Sequence, residues 1–277
     1  MSTDGPGDRH LGRAAGQPGA ADWARGAVAV VTGGTSGIGR ATAQAFAAAG
    51  AAVVVAGRRS REGAEVVDEL TARGAEALFV PTDVAEETQC ARLVATTLER
   101  FGRLDIACNA AGRSSASGGR GRVDTPDAPV ELWDEVMTVD ARGTWLAMKH
   151  QLRPMVEQGS GVIVNVASVA GLVGIPGSSA YVAAKHAVVG MTKAAALEVA
   201  ALGVRVNAVC PGPVHTPMLD ELFAAQPERR EAYRLATPLQ RPAEPAEVAA
   251  AIVSLSSPAG SYLTGAAIPI DGGWTAR

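Results

Sequence analysis

Between Ala27 and Ile270, short β-branched runs alternate with longer segments of helical spacing. That alternation restricts the chain to repeated βαβ units around a parallel sheet. The runs fall at Val28 to Val31, Ala52 to Val55, Ala77 to Val80, Leu104 to Cys108, Val162 to Val166, Val204 to Val209 and Ala267 to Ile270. They are apolar at consecutive positions, so both faces of the sheet need helices over them. Between the runs, Val66, Val67 and Leu70, and again Cys90, Leu93, Val94, Thr97 and Leu98, keep to one helical face. The expectation is an α/β fold, doubly wound, with seven parallel strands and about six helices.

A chain of 277 residues with 47% hydrophobic content can bury one large core. No shift in composition marks a second domain. Residues 23–277 are read as one domain, and residues 1–22, rich in Gly, Ala and Pro, as a flexible tail. Two segments interrupt the pattern, Arg113 to Asp127 and Pro213 to Pro238, and both are expected to be loops over a site.

A net charge of -3 offers no long-range attraction to nucleic acid, and no basic run suggests a membrane surface. No apolar stretch approaches the roughly 20 residues that span a bilayer. The first residues lack the apolar core of a secretory signal, and Asp4 and Asp8 argue against a transit peptide. Cys90, Cys108 and Cys210 are odd in number and sit in or beside apolar segments, which suits buried free thiols and a cytoplasmic location. His10, His150 and His186 are scattered, and no metal site is expected. A small molecule is the expected partner.

Directly after the first strand comes Thr32-Gly33-Gly34-Thr35-Ser36-Gly37-Ile38-Gly39, followed by an alanine-rich helix. Glycines there let the chain turn sharply and bring backbone N–H groups to a pyrophosphate at the positive end of a helix. The second strand ends at Gly57-Arg58-Arg59. A carboxylate at this place would bind a ribose 2'-hydroxyl, whereas a guanidinium can pair with a 2'-phosphate. Arg58 and Arg59 therefore favour NADP(H), with NAD(H) the alternative.

Ser168 follows the fifth run, and thirteen residues later come Tyr181 and Lys185, four apart and so on one helical face. An ammonium beside a phenol favours the phenolate, and is expected to lower the Tyr181 pKa towards that of a usable general acid and base. The Ser168 hydroxyl can bond the substrate oxygen whose proton the tyrosine exchanges.

In this order the motifs from about Ala27 to Trp274 resemble the short-chain dehydrogenase/reductase family, a single Rossmann-type domain. The resemblance implies an NAD(P)(H)-dependent oxidoreductase that interconverts a secondary alcohol and a ketone on a small to medium-sized substrate. It implies a catalytic trio of Ser168, Tyr181 and Lys185, the last also bonding the nicotinamide ribose. Gly33, Thr35, Ser36, Gly37, Ile38 and Gly39 look like the cofactor turn, and Asp83 with Val84 like the adenine contact. Asn109-Ala110-Ala111-Gly112 is similar to a family Asn-Asn-Ala-Gly segment beside the cofactor, with Ala110 in place of the second asparagine. Pro211, Gly212, Val214 and Thr216 resemble the segment that holds the nicotinamide carboxamide, and Asp271-Gly272-Gly273 the closing motif. Asp140 stands where the family usually has an asparagine in a proton relay to the lysine. A carboxylate there, near Lys185, would favour the ammonium and weaken its pull on Tyr181.

The pocket is expected among Val169, Ile175 and the two interrupting segments, with His215 a possible contact. Family resemblance implies a homotetramer or homodimer built on long helices from about Val130 to Val156 and Ala180 to Ala201. The alternatives are a catalytically weak NADP(H)-binding sensor of the same fold, and an epimerase or dehydratase of the extended branch. Enoyl reduction is disfavoured, because that branch places its tyrosine and lysine further apart than four residues.

Overall fold

The computed structural model of the chain describes residues 22–114 and 121–276. All but one residue of the expected tail, and residues 115–120 of the first interrupting segment, lie outside the described residues. Seven strands form one sheet: β1 (Val28–Thr32), β2 (Ala52–Gly57), β3 (Ala77–Pro81), β4 (Ile106–Asn109), β5 (Gly161–Val166), β6 (Val204–Pro211) and β7 (Ala267–Ile270). Their order is β3-β2-β1-β4-β5-β6-β7, and every pair is parallel. Each expected strand is present, with ends displaced by a residue or two. The largest difference is at β4, where Asp105 precedes the strand and its carboxylate accepts the Val28 N–H at 2.9 Å.

Nine α-helices lie among the described residues: α1 (Gly37–Ala48), α2 (Ser60–Ala72), α3 (Glu87–Phe101), α4 (Val130–Val136), α5 (Gly143–Gln158), α6 (Ser179–Val199), α7 (Pro217–Ala225), α8 (Arg229–Ala236) and α9 (Pro245–Ser256). One face of the sheet packs Phe46 of α1, Leu70 of α2 and Ile252 of α9 against Ala29, Val31, Val53 and Val55. The other packs Leu93 of α3, Met148 and Met155 of α5 and Val199 of α6 against Val28, Val30, Val54 and Ile163. Successive strand residues therefore serve opposite layers, which is why the runs are apolar throughout.

The count exceeds the expected six by three: the segment from Pro213 to Pro238, expected to be a loop, folds into α7 and α8, and the expected helix from Val130 is split into α4 and α5. Pro217 opens α7, where its missing N–H costs nothing, and Leu219, Leu222 and Phe223 form one buried face. The expected long helix from Val130 is interrupted by a π-helical turn, Met137–Arg142, which carries Asp140. Such turns often mark functional sites. After β3 the order reverses to β4 on the other side of β1, and the crevice beyond the carboxyl ends of β1 and β4 is the usual ligand position in such sheets.

Candidate active site

At that crevice the turn after β1 presents bare backbone. Gly33 and Gly37 have φ of 66° and 51°, a region open to glycine. A Cβ on Gly33 would lie 2.7 Å from the Ala111 nitrogen, and one on Gly39 only 2.2 Å from the Gly33 oxygen. The glycines thus let the turn lie flat against the end of β4 and tuck α1 beneath it. The first turn of α1 holds no acid, and Ser36, at its N-cap position, makes no capping bond. Its backbone donors are left for an anion.

A groove runs from this turn over Gly57, Arg58, Arg59, Asp83, Val84, Ala110, Ala111, Gly112 and Thr216. The two arginines diverge. Arg59 Nη2 donates to Thr35 Oγ1 at 2.9 Å and to Ser36 Oγ at 2.7 Å, whereas Arg58 reaches across to Asp83 Oδ2 at 4.0 Å. Asp83 caps the following turn through the Ala85 N–H. A bare-backbone turn, an open helix N-terminus and a basic edge suit the diphosphate and phosphate groups of a dinucleotide.

The groove joins a second cavity at Ile38, Ala110, Gly112 and Thr216. This cavity is lined by Ser168, Tyr181 and Lys185, by Pro211, Gly212 and Val214 after β6, by Val169 and Ile175, and by Leu219 and Leu222 of α7. Ser168 ends the extended chain after β5, and its Oγ accepts the Ala170 N–H at 3.1 Å. Tyr181 and Lys185 stand one turn apart on α6, with Lys185 Nζ 5.4 Å from the Tyr181 ring centre. Val214 bridges to Ala243, and the Thr216 hydroxyl donates to the Val214 carbonyl at 3.2 Å. His215 turns out of the cavity to Glu244 at 3.2 Å.

Lys185 Nζ donates to the Val166 carbonyl at 3.1 Å and lies 3.1 Å from Asp140 Oδ2. The second contact is an ion pair without hydrogen-bond alignment, since Oδ2 has no aligned donor. Asp140 Oδ1 accepts the Arg113 N–H at 2.8 Å. Burial pushes the Asp140 carboxyl up, against the pull of Lys185 and Arg113. Burial would lower Lys185, but Asp140 and Tyr181 together outweigh it and raise the ammonium pKa.

The expected lowering of the Tyr181 pKa is not the net direction. Tyr181 is half-buried at the cavity wall, and this burial raises its pKa despite Lys185, Ser168 and Arg122; Asp140 raises it further. The lysine's pull is present and is overcome by desolvation.

A buried amide network beneath the site went unread in the sequence. Asn109 Nδ2 donates to Gln151 Oε1 at 2.9 Å and to Asn165 Oδ1 at 3.0 Å, Gln151 returns a bond at 2.9 Å, and Asn165 donates to Thr192 Oγ1 at 2.9 Å. It ties β4 and β5 to α5 and α6. Ala110 sits above it, bonded through its backbone to Thr32 at 3.2 Å. The signal available was polar residues at Asn165 and Thr192 inside apolar periodicity, which a single chain leaves unpaired.

Residues 33–275 match a family model described as enoyl-(acyl carrier protein) reductase, and this match decides the family. The chain is a short-chain dehydrogenase/reductase. It is 42% identical over 249 residues, 90% of this chain and 95% of its relative, to an A-factor type gamma-butyrolactone 1'-reductase (1S-forming) of Streptomyces virginiae. It is 43% identical over 254 residues, 90% and 96%, to a cis-4-hydroxycyclohexanecarboxylate dehydrogenase of Sinomonas cyclohexanicum. A crystal structure of levodione reductase superposes with a TM-score of 0.84 at 37% identity, covering 91% of this chain and 99% of that one. As a short-chain dehydrogenase/reductase, the chain is an NAD(P)-dependent oxidoreductase of the alcohol dehydrogenase and ketoreductase type.

Proposed function

We propose that this enzyme interconverts a secondary alcohol and a ketone on a small to medium-sized substrate, with Tyr181 as general acid and base and NADP(H) as the favoured cofactor. The observation that carries the reading is the convergence of Ser168, Tyr181 and Lys185 at the floor of a largely apolar cavity that opens onto the dinucleotide groove. The cofactor supplies the hydride. Tyr181 gives its proton to the carbonyl oxygen in reduction and takes the hydroxyl proton in oxidation. Ser168 orients that oxygen and stabilises its developing charge. Lys185, anchored on Val166 and Asp140, holds a positive charge that favours the phenolate against its burial, and would hold the nicotinamide ribose of a bound cofactor. The apolar lining from Val169, Ile175, Leu219 and Leu222 excludes water from the reacting atoms.

Arg59 supports the cofactor preference, since it is already fixed on the Thr35 and Ser36 hydroxyls and so meets a 2'-phosphate without reorganising. Arg58 completes the basic edge. The relatives reported above are named for hydroxyl and carbonyl chemistry on lactone, cyclohexane and dione skeletons, and this favours carbonyl over enoyl reduction here. An oligomer built on α4, α5 and α6 is part of the proposal, because Trp133, Trp145 and Leu197 leave apolar surface on those helices exposed.

The reading is tested by titrating the protein with NADPH and NADH, following nicotinamide fluorescence, and then adding a panel of cyclic and linear ketones. Tighter binding of NADPH and a ketone-dependent loss of fluorescence are expected. Binding without turnover across the panel would contradict the proposed reaction, and tighter binding of NADH the cofactor preference.

A further inference from the structure

One cationic side chain in the substrate cavity bears electrostatically on Tyr181 but has no assigned partner in the chemistry above. Arg122 lines the cavity together with Tyr233 and Trp274, in the same cavity as Ser168 and Tyr181. It is held firmly: its backbone N–H donates to Gln226 Oε1 at 3.1 Å, and the neighbouring Val123 N–H donates to Gly177 O at 3.1 Å. Its guanidinium lies 5.1 Å from the centre of the Tyr233 ring and donates through Nη2 to the Tyr233 hydroxyl. Tyr233 is itself braced edge-on by Phe223 and Trp274, with ring centres 5.6 and 5.4 Å away. Such a platform fixes the planar fork in one orientation.

The charge so fixed has no counter-ion among the described residues. Among the described residues, the groups acting electrostatically on Arg122 are Tyr233, Arg229 and Tyr181, none of them a carboxylate. Glu231, on the same helix as Tyr233, is taken by Arg234 at 2.6 Å, and residues 115–120 contain no acid. A half-buried guanidinium without an acid is costly unless an incoming anion pairs with it. Arg229 beside it adds to the positive potential.

We propose that Arg122 is a specificity residue that binds the carboxylate of a carboxylate-bearing ketone or alcohol, whose reacting carbon then reaches Ser168 and Tyr181. The inference rests on the proposed reductase function and names its substrate class: a compact oxo or hydroxy acid with an apolar skeleton between its two oxygen functions. The planar fork suits a carboxylate in bidentate contact, and the apolar wall suits the skeleton between.

The test uses the NADPH complex and non-reducible probes, so that binding is read apart from turnover. Cyclohexanecarboxylate, cyclohexanecarboxamide and cyclohexanesulfonate are titrated by calorimetry into the wild type, Arg122→Gln and Arg122→Lys. The wild type is expected to bind the carboxylate roughly 10- to 100-fold tighter than the amide. That ratio should collapse towards one in Arg122→Gln and persist in part in Arg122→Lys. Equal affinity for carboxylate and amide in the wild type, which needs no variant to fold, would overturn the proposal. So would a preference kept by both variants, or sulfonate binding tighter than carboxylate. In parallel, 3-oxocyclohexanecarboxylate, its methyl ester and cyclohexanone are offered as substrates. Failure of every ketone to react would count against the reductase reading and leave the anion preference to be judged on the binding data alone.

Discussion

Asp140 places a carboxylate 3.1 Å from Lys185, the lysine proposed to assist Tyr181, with both groups buried. Its negative charge opposes formation of the phenolate, so replacing it by a neutral amide favours ionisation of Tyr181. The rate of alcohol oxidation, which needs the phenolate, should therefore rise at lower pH in Asp140→Asn, its limb moving down by about one unit. Steady-state pH profiles of the two proteins would decide it, and superimposable curves would remove Asp140 from the tuning of the site. At the cofactor end, the proposed preference predicts that Arg59→Ala weakens NADPH by roughly 10- to 100-fold and NADH little, since a 2'-phosphate would pair with the guanidinium and a 2'-hydroxyl would not. Loss of both affinities in step would mean that Arg59 merely braces the turn. The site residues were legible in the sequence where spacing alone sets geometry, as for Tyr181 and Lys185 on one helix. The net direction of the Tyr181 pKa was not, because it depends on desolvation, which requires knowing what surrounds the hydroxyl. The same holds for Arg122, whose lack of an acidic neighbour among the described residues is a property of the folded wall.

At the level of elements, the glycine turn, π-helical turn and amide network divide the work of holding the site. The network from Asn109 through Gln151 and Asn165 to Thr192 fastens the carboxyl ends of β4 and β5 to α5 and α6. Gln151→Leu should strand the Asn109 amide and lower stability by about 1 to 3 kcal/mol, measured by denaturant unfolding. An unchanged midpoint would show that the amides rearrange without cost. The strands were legible because burial on both faces forces continuous β-branched runs, and their ends were less so. The segment from Pro213 to Pro238 reads as a loop because prolines bound it and charged residues interrupt its apolar positions. The stripe of Leu219, Leu222 and Phe223 behind Pro217 carried the helical signal. The π-helical turn left no sequence trace, since the tightness of a turn is settled by packing of α4 and α5 on α6.

For the whole molecule, the two helical layers bury the sheet but leave Val130 and Trp133 on α4, Trp145 on α5 and Leu197 on α6 exposed, Leu197 at 86%. Self-association through these helices would cover them. Trp145→Glu combined with Leu197→Glu should convert an oligomer to a smaller species by light scattering, whereas an unchanged mass would place the interface elsewhere. Burial also accounts for the three cysteines: it pushes the Cys108 thiol up to about 12 and those of Cys90 and Cys210 up to about 11, so none is a ready nucleophile at neutral pH. This agrees with the proposal that chemistry in the cavity falls to the hydroxyls of Ser168 and Tyr181 and to Lys185. The most direct test of that account is a single-turnover experiment in which the NADPH complexes of the wild type and Tyr181→Phe are mixed with a cyclic ketone and nicotinamide absorbance is followed. The wild type should lose absorbance with the ketone, while Tyr181→Phe binds NADPH normally and reacts roughly 10²- to 10⁴-fold more slowly. A Tyr181→Phe protein that consumes NADPH at a rate comparable to the wild type would contradict it.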